Sequence, residues 1–329
     1  MRGSAYNSDT ILNAAKKYAL AKSYEERAVT GIQTLLTQQF GIEGKVGFEM
    51  VGDLAAARVT TPFASATIAL QGAHVMTWQP VGQQPVIWVS KYAKYASGKS
   101  IRGGVPVCWP WFGPHASNPQ LPGHGFARTV PWALIATKVL PDGRVRLEFA
   151  LTQTDATRAQ WPHASTVRNI ITVGEELEVE LETANTGSDS FRLGQALHTY
   201  FVVGDIRRAT VAGLEGCEYL DKVGGGRKRQ KGPVTFTQET DRVYLGTHGC
   251  CGVLDPAMDR TILITSTGSR STVVWNPWIE KAEKMGDFGP DGHLGMVCVE
   301  TANAAEDVIT LAAGEIHRMT AQYRVLAAR

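Results

Sequence analysis

Glu176-Leu177-Glu178-Val179-Glu180-Leu181-Glu182 alternates acid and aliphatic residue without a break. Successive strand side chains point to opposite faces, so Leu177, Val179 and Leu181 share one face and four glutamates share the other. Such a segment is a half-buried strand with one solvated side. Working outward, Arg144 to Leu151 repeats the period, with Val145, Leu147, Phe149 and Leu151 as the apolar set. Further strands are predicted near 66–78, 86–89, 165–173, 191–203, 207–212, 233–236, 260–266, 271–275, 296–301 and 316–326. Turn chemistry separates them: Pro141-Asp142-Gly143, Asn185-Thr186-Gly187-Ser188 and Val223-Gly224-Gly225-Gly226. Many short strands with almost no helix predict a mainly β chain, a large antiparallel sandwich or barrel. Residues 45–329 read as one β domain.

Ahead of Gly44 the pattern is helical. Residues 1–44 read as an N-terminal leader and helical extension. Residues 1–8 resemble in part an expression-vector leader and are set aside. Asp9 is a candidate cap for a helix to about Arg27, with Ile11, Leu12, Ala15, Tyr18 and Ala19 on one side. A second short helix is predicted over 30–40, with Ile32, Leu35, Leu36 and Phe40 on one stripe, ending at Gly41.

Composition bounds the function classes. The chain has 329 residues, 43% of them hydrophobic, and a net charge of +2. That charge is too small for a broad field acting on nucleic acid or a membrane surface, so any anion binding must be local. No run approaches a membrane span. Lys16, Lys17 and Lys22 interrupt any secretory apolar segment. The five cysteines are an odd set, and none forms a C-x-x-C. They read as buried or idle thiols of a reducing compartment, and a cytoplasmic location is expected. There is no Walker loop, dinucleotide fingerprint, G-x-S-x-G elbow or H-x-H pair, so none of those cofactor, nucleophile or metal arrangements is expected.

The stretch 99–132 holds Arg102, Arg128, His115 and His124 among glycines, prolines, Trp109, Trp111, Phe112 and Phe126. Ordering so long a loop costs entropy that packing alone rarely offsets, so it reads as functional. Aromatic faces beside arginine and histidine suit a sugar carrying an anionic group. His124 is flanked by Gly123 and Gly125, which allow close ligand approach; a turn histidine bonding backbone is the alternative.

Two strands carry candidate acid–base groups. In 191–201, Phe191, Leu193, Leu197 and Phe201 share a face, and Arg192, His198 and Tyr200 share the other. A lone strand histidine is more often structural, but here it points away from the apolar face. In 295–302, Met296, Cys298 and Glu300 alternate with Val297 and Val299. Desolvation would raise the pKa of a glutamate so placed unless it is paired, and a buried salt bridge is the alternative to a functional carboxyl. A glutamate base with a histidine acid suits a reaction that takes one proton off and puts another on. Asp241 reads either as an acceptor for sugar hydroxyls or as a turn cap. Trp275-Asn276-Pro277-Trp278-Ile279 reads as core or as a sugar platform. The basic stretch 224–231 reads as a solvated hairpin tip. His74 reads as core or pocket wall.

Six segments in order carry a resemblance: 100–106 (Ser-Ile-Arg-Gly-Gly-Val-Pro), 122–128 (Pro-Gly-His-Gly-Phe-Ala-Arg), 197–201 (Leu-His-Thr-Tyr-Phe), 238–244 (Gln-Glu-Thr-Asp-Arg-Val-Tyr), 273–281 (Val-Val-Trp-Asn-Pro-Trp-Ile-Glu-Lys) and 297–300 (Val-Cys-Val-Glu). From about Ile32 onward the chain resembles the D-hexose-6-phosphate mutarotases (glucose-6-phosphate 1-epimerases) of the aldose 1-epimerase superfamily. The resemblance implies a galactose-mutarotase-type β-sandwich and an isomerase with no required cofactor and no metal. It implies His198 and Glu300 as catalytic, His124 and Asp241 as substrate-binding, and Arg102 and Arg128 as phosphate-binding. A phosphosugar is then the expected partner, with no nucleic acid and no membrane, and the chain is expected to be a monomer. The helix over 9–27 lies outside the family pattern. A non-catalytic sugar-binding or sugar-sensing protein on the same fold, or an epimerase of a neutral aldose, are the competing readings.

Overall fold

A computed structural model of the chain describes residues 31–327. The helix expected over 9–27 and the leader-like residues 1–8 lie outside the described residues. The second expected helix is present as α1, over 31–40. Phe40 packs on the core and its carbonyl accepts Thr137 Oγ1 at 2.8 Å, whereas Ile32 and Leu35 are exposed. The expected stripe is therefore used only at its C-terminal end.

The strands are β1–β4 (Val46–Val51, Leu54–Thr60, Ala64–Ala69, His74–Pro80), β5 (Val107–Cys108) and β6–β9 (Trp132–Val139, Val145–Leu151, Ser165–Val173, Leu177–Asn185). The short β10–β12 follow (Phe191–Leu193, Gln195–Leu197, Tyr200–Val202), then β13–β15 (Thr210–Ala212, Glu218–Asp221, Arg227–Arg229). β16–β19 (Thr240–Leu245, Cys250–Asp255, Arg260–Thr267, Ser271–Asn276) and β20–β22 (Met296–Asn303, Ile309–Leu311, Ile316–Ala327) complete the set. Two further helices interrupt them, α2 (Asp155–Gln160) and α3 (Trp278–Met285).

Two eight-stranded antiparallel sheets form the body. The outer sheet runs β13-β17-β18-β22-β9-β8-β7-β6. The site sheet runs β15-β14-β16-β19-β20-β11-β5, with β12 also pairing β20. A four-stranded meander of β1–β4 and a two-stranded β10–β21 ribbon flank them. The core lies between the large sheets. Leu177, Val179 and Leu181 of β9 enter it together with Val297 and Val299 of β20 and Leu197 and Phe201. Tyr323 of β22 crosses the layers: its ring meets Phe201 edge-on at 5.2 Å, and its hydroxyl bonds Thr199 Oγ1 at 2.6 Å. The expected sandwich is therefore the fold.

The glutamates of β9 behave as alternation requires, with one refinement. Glu182 and, just before the strand, Glu176 form ion pairs: Glu182 meets Arg318 at 2.7 Å and Arg168 at 3.4 Å, and Glu176 meets Arg324 at 3.6 Å. These partners cover Glu182 until it is buried. Such pairs contribute little individually.

Several expected strands divide. The segment 66–78 is a hairpin, because Gly72 (φ 75°) and Ala73 (φ 44°) turn the chain between β3 and β4. The segment 191–203 is three short strands. It breaks at Gly194 and again at His198-Thr199, where Thr199 N–H and Oγ1 both turn back to the Leu197 carbonyl. Segments 86–89 and 233–236 make only isolated bridges, Ile87 to Phe201, Val89 to Gly103 and Val234 to Val211. The basic stretch 224–231 is a hairpin arm as expected, with β15 fully exposed and its charges paired to Glu218, Asp221 and Glu306.

Phe201 is the clearest interlayer anchor. Phe201→Ala is expected to lower stability by about 3–5 kcal/mol, the usual cost of removing a buried phenyl group. Urea unfolding of both proteins measures this. A loss below ~1 kcal/mol would place the interlayer packing elsewhere.

Candidate active site

Strand β20 is buried on both faces. Val297 and Val299 serve the sandwich core, so Met296, Cys298 and Glu300 must face the other way. Neighbouring strands then arrange two rows by register alone. In one row Val243 of β16 pairs Val273 of β19, and Val273 pairs Glu300. In the next, Asp241 pairs Trp275, Trp275 pairs Cys298, and Cys298 pairs Tyr200. The pairings Leu197 to Thr301 and Tyr200 to Cys298 share one register, which sets His198 opposite Glu300. His198 N–H is held by the Pro106 carbonyl at 3.0 Å.

Above these rows lies a cavity of about 710 Å³. His198, Glu300, His124, Asp241, Arg102 and Arg128 all line it. His198 Nε2 is 3.4 Å from Glu300 Oε1. Among the described residues, His198 Nδ1 and Glu300 Oε2 are buried with no hydrogen-bond partner. Unpaired buried polar atoms are costly and rare, and a ligand's hydroxyls could satisfy both.

The walls come from loops. Arg102 precedes Gly103 (φ 109°) and Gly104 (φ 76°); a Cβ on Gly104 would lie 2.0 Å from His74 Nε2. His74 is thus the support behind this loop, bonded to the Gly103 carbonyl at 2.9 Å, and not a pocket wall. Arg102 donates from Nε to Asp287 at 2.9 Å and from Nη1 to the Tyr200 hydroxyl at 3.0 Å. Arg128 sits on the 3-10 turn Ala127–Thr129 and donates to the Gly123 carbonyl at 2.9 Å.

His124 occupies the left-handed region at φ 66°, a conformation that side chains rarely adopt outside constrained sites. The turn is forced on the other side as well, since a Cβ on Gly125 would lie 1.9 Å from the Trp109 carbonyl. His124 N–H donates to Gly113 O at 2.7 Å, and Nδ1 accepts from Gly113 N–H at 3.4 Å. That leaves Nε2–H as the free donor. The His124 and His198 rings lie 5.8 Å apart.

Asp241 is the second residue of β16, not a turn cap. Lys281 Nζ stands 3.8 Å from it and 2.6 Å from Glu239. Lys281 belongs to α3, whose start is pinned by Asn276: its Oδ1 accepts Trp278 N–H, and its Nδ2 donates to the His293 and Met296 carbonyls. Lys222, Lys281, Tyr200, Trp275 and Met285 also line the cavity. Neither lysine was singled out by sequence reasoning. Both lie far along the chain from the arginines, and only Lys281 falls in a segment that carried the resemblance.

The aromatic reading of 99–132 needs correction. Trp109, Trp111 and Phe126 are buried core; Trp109 Nε1 bonds Thr183 and Trp111 Nε1 bonds the Pro122 carbonyl. Only Phe112 of that set reaches the cavity. His115 folds its own loop, packing on Trp111 at 4.6 Å and accepting Ser117 and Asn118 N–H groups. Trp275 is both core and cavity wall.

Burial dominates the electrostatics. It drives the Glu300 carboxyl well above the usual range, with Asp241 adding to the rise and Arg128 opposing it. Burial, then His124, Arg128 and Arg102, hold His198 well below the usual imidazole value. Burial, then Arg128 and Arg102, bring His124 down to about 4. The shifts of Glu300 and His198 both favour the uncharged form of each group, and the contact between His198 Nε2 and Glu300 Oε1 is a long 3.4 Å.

The chain matches the family model for aldose 1-epimerase over residues 57–324. The chain belongs to the aldose 1-epimerase family. An Escherichia coli (strain K12) protein named "Putative glucose-6-phosphate 1-epimerase" is 43% identical over 250 residues, which is 75% of this chain and 83% of that one. A Cenchrus ciliaris protein of the same name is 34% identical over 76% of this chain and 78% of its own. A Salmonella typhimurium crystal structure described as a "putative mutarotase" superimposes with a TM-score of 0.82 at 38% identity, covering 88% of this chain and 96% of that one. This member of the aldose 1-epimerase family thus shares sandwich and sequence with proteins named for anomer chemistry.

The histidine shifts have a consequence for stability. His74 and His124 are each brought down to about 4, whereas an unfolded imidazole titrates near ~6.5. Between those values the unfolded chain binds more protons, so stability rises with pH across about 4 to 6.5. Each such imidazole adds up to about 1.4 kcal/mol per pH unit there. Glu300 acts in the opposite sense and is outnumbered. Urea unfolding at pH 5 and pH 7 checks the sign; a protein more stable at pH 5 would show that these rings are protonated in the fold.

Proposed function

We propose that this aldose 1-epimerase family member interconverts the α and β anomers of a hexose 6-phosphate, glucose 6-phosphate first among them. The names of its relatives support the substrate. The observation that carries the chemistry is the register-matched, buried His198–Glu300 pair on the wall of a cavity that two arginines also line.

The exchange needs one proton shared by the pair, carried on the imidazole while Glu300 is a carboxylate. Glu300 takes the proton of the anomeric hydroxyl while His198 gives one to the ring oxygen. The bond from C1 to the ring oxygen breaks and the free aldehyde forms. Rotation about C1–C2 presents the other carbonyl face. Reclosure reverses both transfers and restores the pair. Positioned acid–base groups supply ~10²–10⁴-fold each. His124 donates to, and Asp241 accepts from, sugar hydroxyls. Arg102 and Arg128 hold the phosphate, for which guanidinium geometry is suited. The phosphosugar substrate and the five free cysteines, three of them buried, suit a reducing cytoplasm.

Anomer-exchange NMR on glucose 6-phosphate and on glucose tests this reading. Glu300→Gln and His198→Asn are each expected to slow exchange by at least ~10²-fold in a folded protein. Near-wild-type exchange in either variant removes that residue from the chemistry.

Arg102→Ala and Arg128→Ala test the phosphate site separately. Each is expected to weaken glucose 6-phosphate processing by roughly 10–150-fold, the value of a hydrogen bond to a charged group, while barely changing glucose exchange. Equal losses on both sugars would mean that the arginines only organise their loops.

A further inference from the structure

Arg102 does not stand free at the cavity wall. Its Nε is bonded to Asp287 and its Nη1 to the Tyr200 hydroxyl, and its guanidinium lies 5.0 Å over the Phe288 ring. A guanidinium has five N–H groups, so about three stay available to an anion. Asp287 is itself tied down, since its carbonyl accepts Ser90 Oγ at 2.5 Å while Ser90 N–H donates to the Arg102 carbonyl at 3.0 Å.

Tyr200 meets the other half of the site. Its ring stacks on His198 at 4.9 Å with the planes 13° apart. Trp88 stacks on Tyr200 at 5.8 Å and on Phe288 at 5.4 Å, which closes the stack back onto the group beneath Arg102. The Tyr200 ring is buried and cannot swing independently of these neighbours. One side chain thus touches both the arginine that faces the anion and the imidazole that moves the proton. Packing alone would require only a phenyl ring; the hydroxyl adds a charge-assisted bond to Arg102.

We infer that Tyr200 is a positioning residue that couples anion binding at Arg102 to the placement of His198, so that the substrate's phosphate raises turnover as well as anchoring the sugar. The inference rests on the phosphosugar reading above. An anion on the free N–H groups fixes the guanidinium, the guanidinium fixes the Tyr200 oxygen, and the ring then sets the plane of His198. Small displacements of a reacting group are expensive in rate, so such a restraint acts on kcat.

The test splits the substrate into glucose and phosphite dianion. With wild-type protein, phosphite is expected to accelerate glucose anomer exchange. In Tyr200→Phe, which keeps the ring stack, phosphite still binds, as read by NMR titration. The acceleration, taken as the ratio with and without phosphite in the same variant, falls by about 3- to 10-fold, the value of one net hydrogen bond. For glucose 6-phosphate the same variant loses kcat more than it raises KM. Asp287→Asn, which loosens Arg102 and spares Tyr200, lowers the acceleration in the same direction and serves if Tyr200→Phe does not fold. Equal acceleration in the variants and the wild type, or a change in KM alone, overturns the coupling. Preference for glucose 6-phosphate without any phosphite acceleration in the wild type overturns the coupling and leaves the phosphosugar reading intact. No preference for glucose 6-phosphate over glucose overturns both.

Discussion

A carboxyl group in a strand buried on both sides is the constraint from which the rest of the site follows. Glu300 lies in β20, where every residue is buried. Its neighbours Val297 and Val299 commit one face of the strand to the interlayer core. The carboxyl must then face the cavity, where burial favours its protonated form and Asp241 reinforces that preference. The fold sets a histidine opposite it and, among the described residues, one oxygen and one ring nitrogen of the two have no partner. A hydrophobic pair there would pack at less cost, because buried polar atoms without partners are destabilising. Here two such atoms meet on the wall of one cavity.

The sheet and the loops divide the labour. Ladder hydrogen bonds hold Glu300, Trp275, Asp241 and Tyr200 at fixed spacing on a rigid surface. Arg102, His124 and Arg128 come to the cavity from less regular segments, each constrained by a local necessity. Gly103 lets the backbone pass Trp88 and Val89, Gly104 lets it pass His74, and Gly125 lets the turn at His124 lie against the Trp109 carbonyl. Asn276 fixes where α3 begins and so places Lys281 beside Asp241. Rigid support beneath, with irregular chain above, is the arrangement expected where binding groups are carried by loops on a scaffold.

The aromatic side chains illustrate how one composition serves two purposes. Trp109, Trp111 and Phe126 bury themselves to hold the long loop together, each indole nitrogen finding an oxygen partner. Trp88, Tyr200 and Phe288 form the stack that joins Arg102 to His198. A cluster of aromatics in sequence thus marks a structured loop without saying which rings meet the ligand.

What the sequence by itself determined is what period and local chemistry can carry. Alternation in 144–151 and 176–182 specified half-buried strands, and the same alternation assigned His198 and Glu300 to the faces opposite Leu197 and Val299, since side-chain direction in a strand is a local property. Ordered motifs carried the family. Other features were decided only by tertiary structure. At the break, Thr199 is bonded across the layers to Tyr323, which is remote in sequence. The division between core and cavity aromatics depends on which layer each loop is pressed against. The meeting of His198 with Glu300, and of Lys281 with Asp241, depends on strand register and on the placement of α3 between residues far apart along the chain. Pairing partners are chosen by the whole sheet and by what covers it, and no window of sequence contains that information.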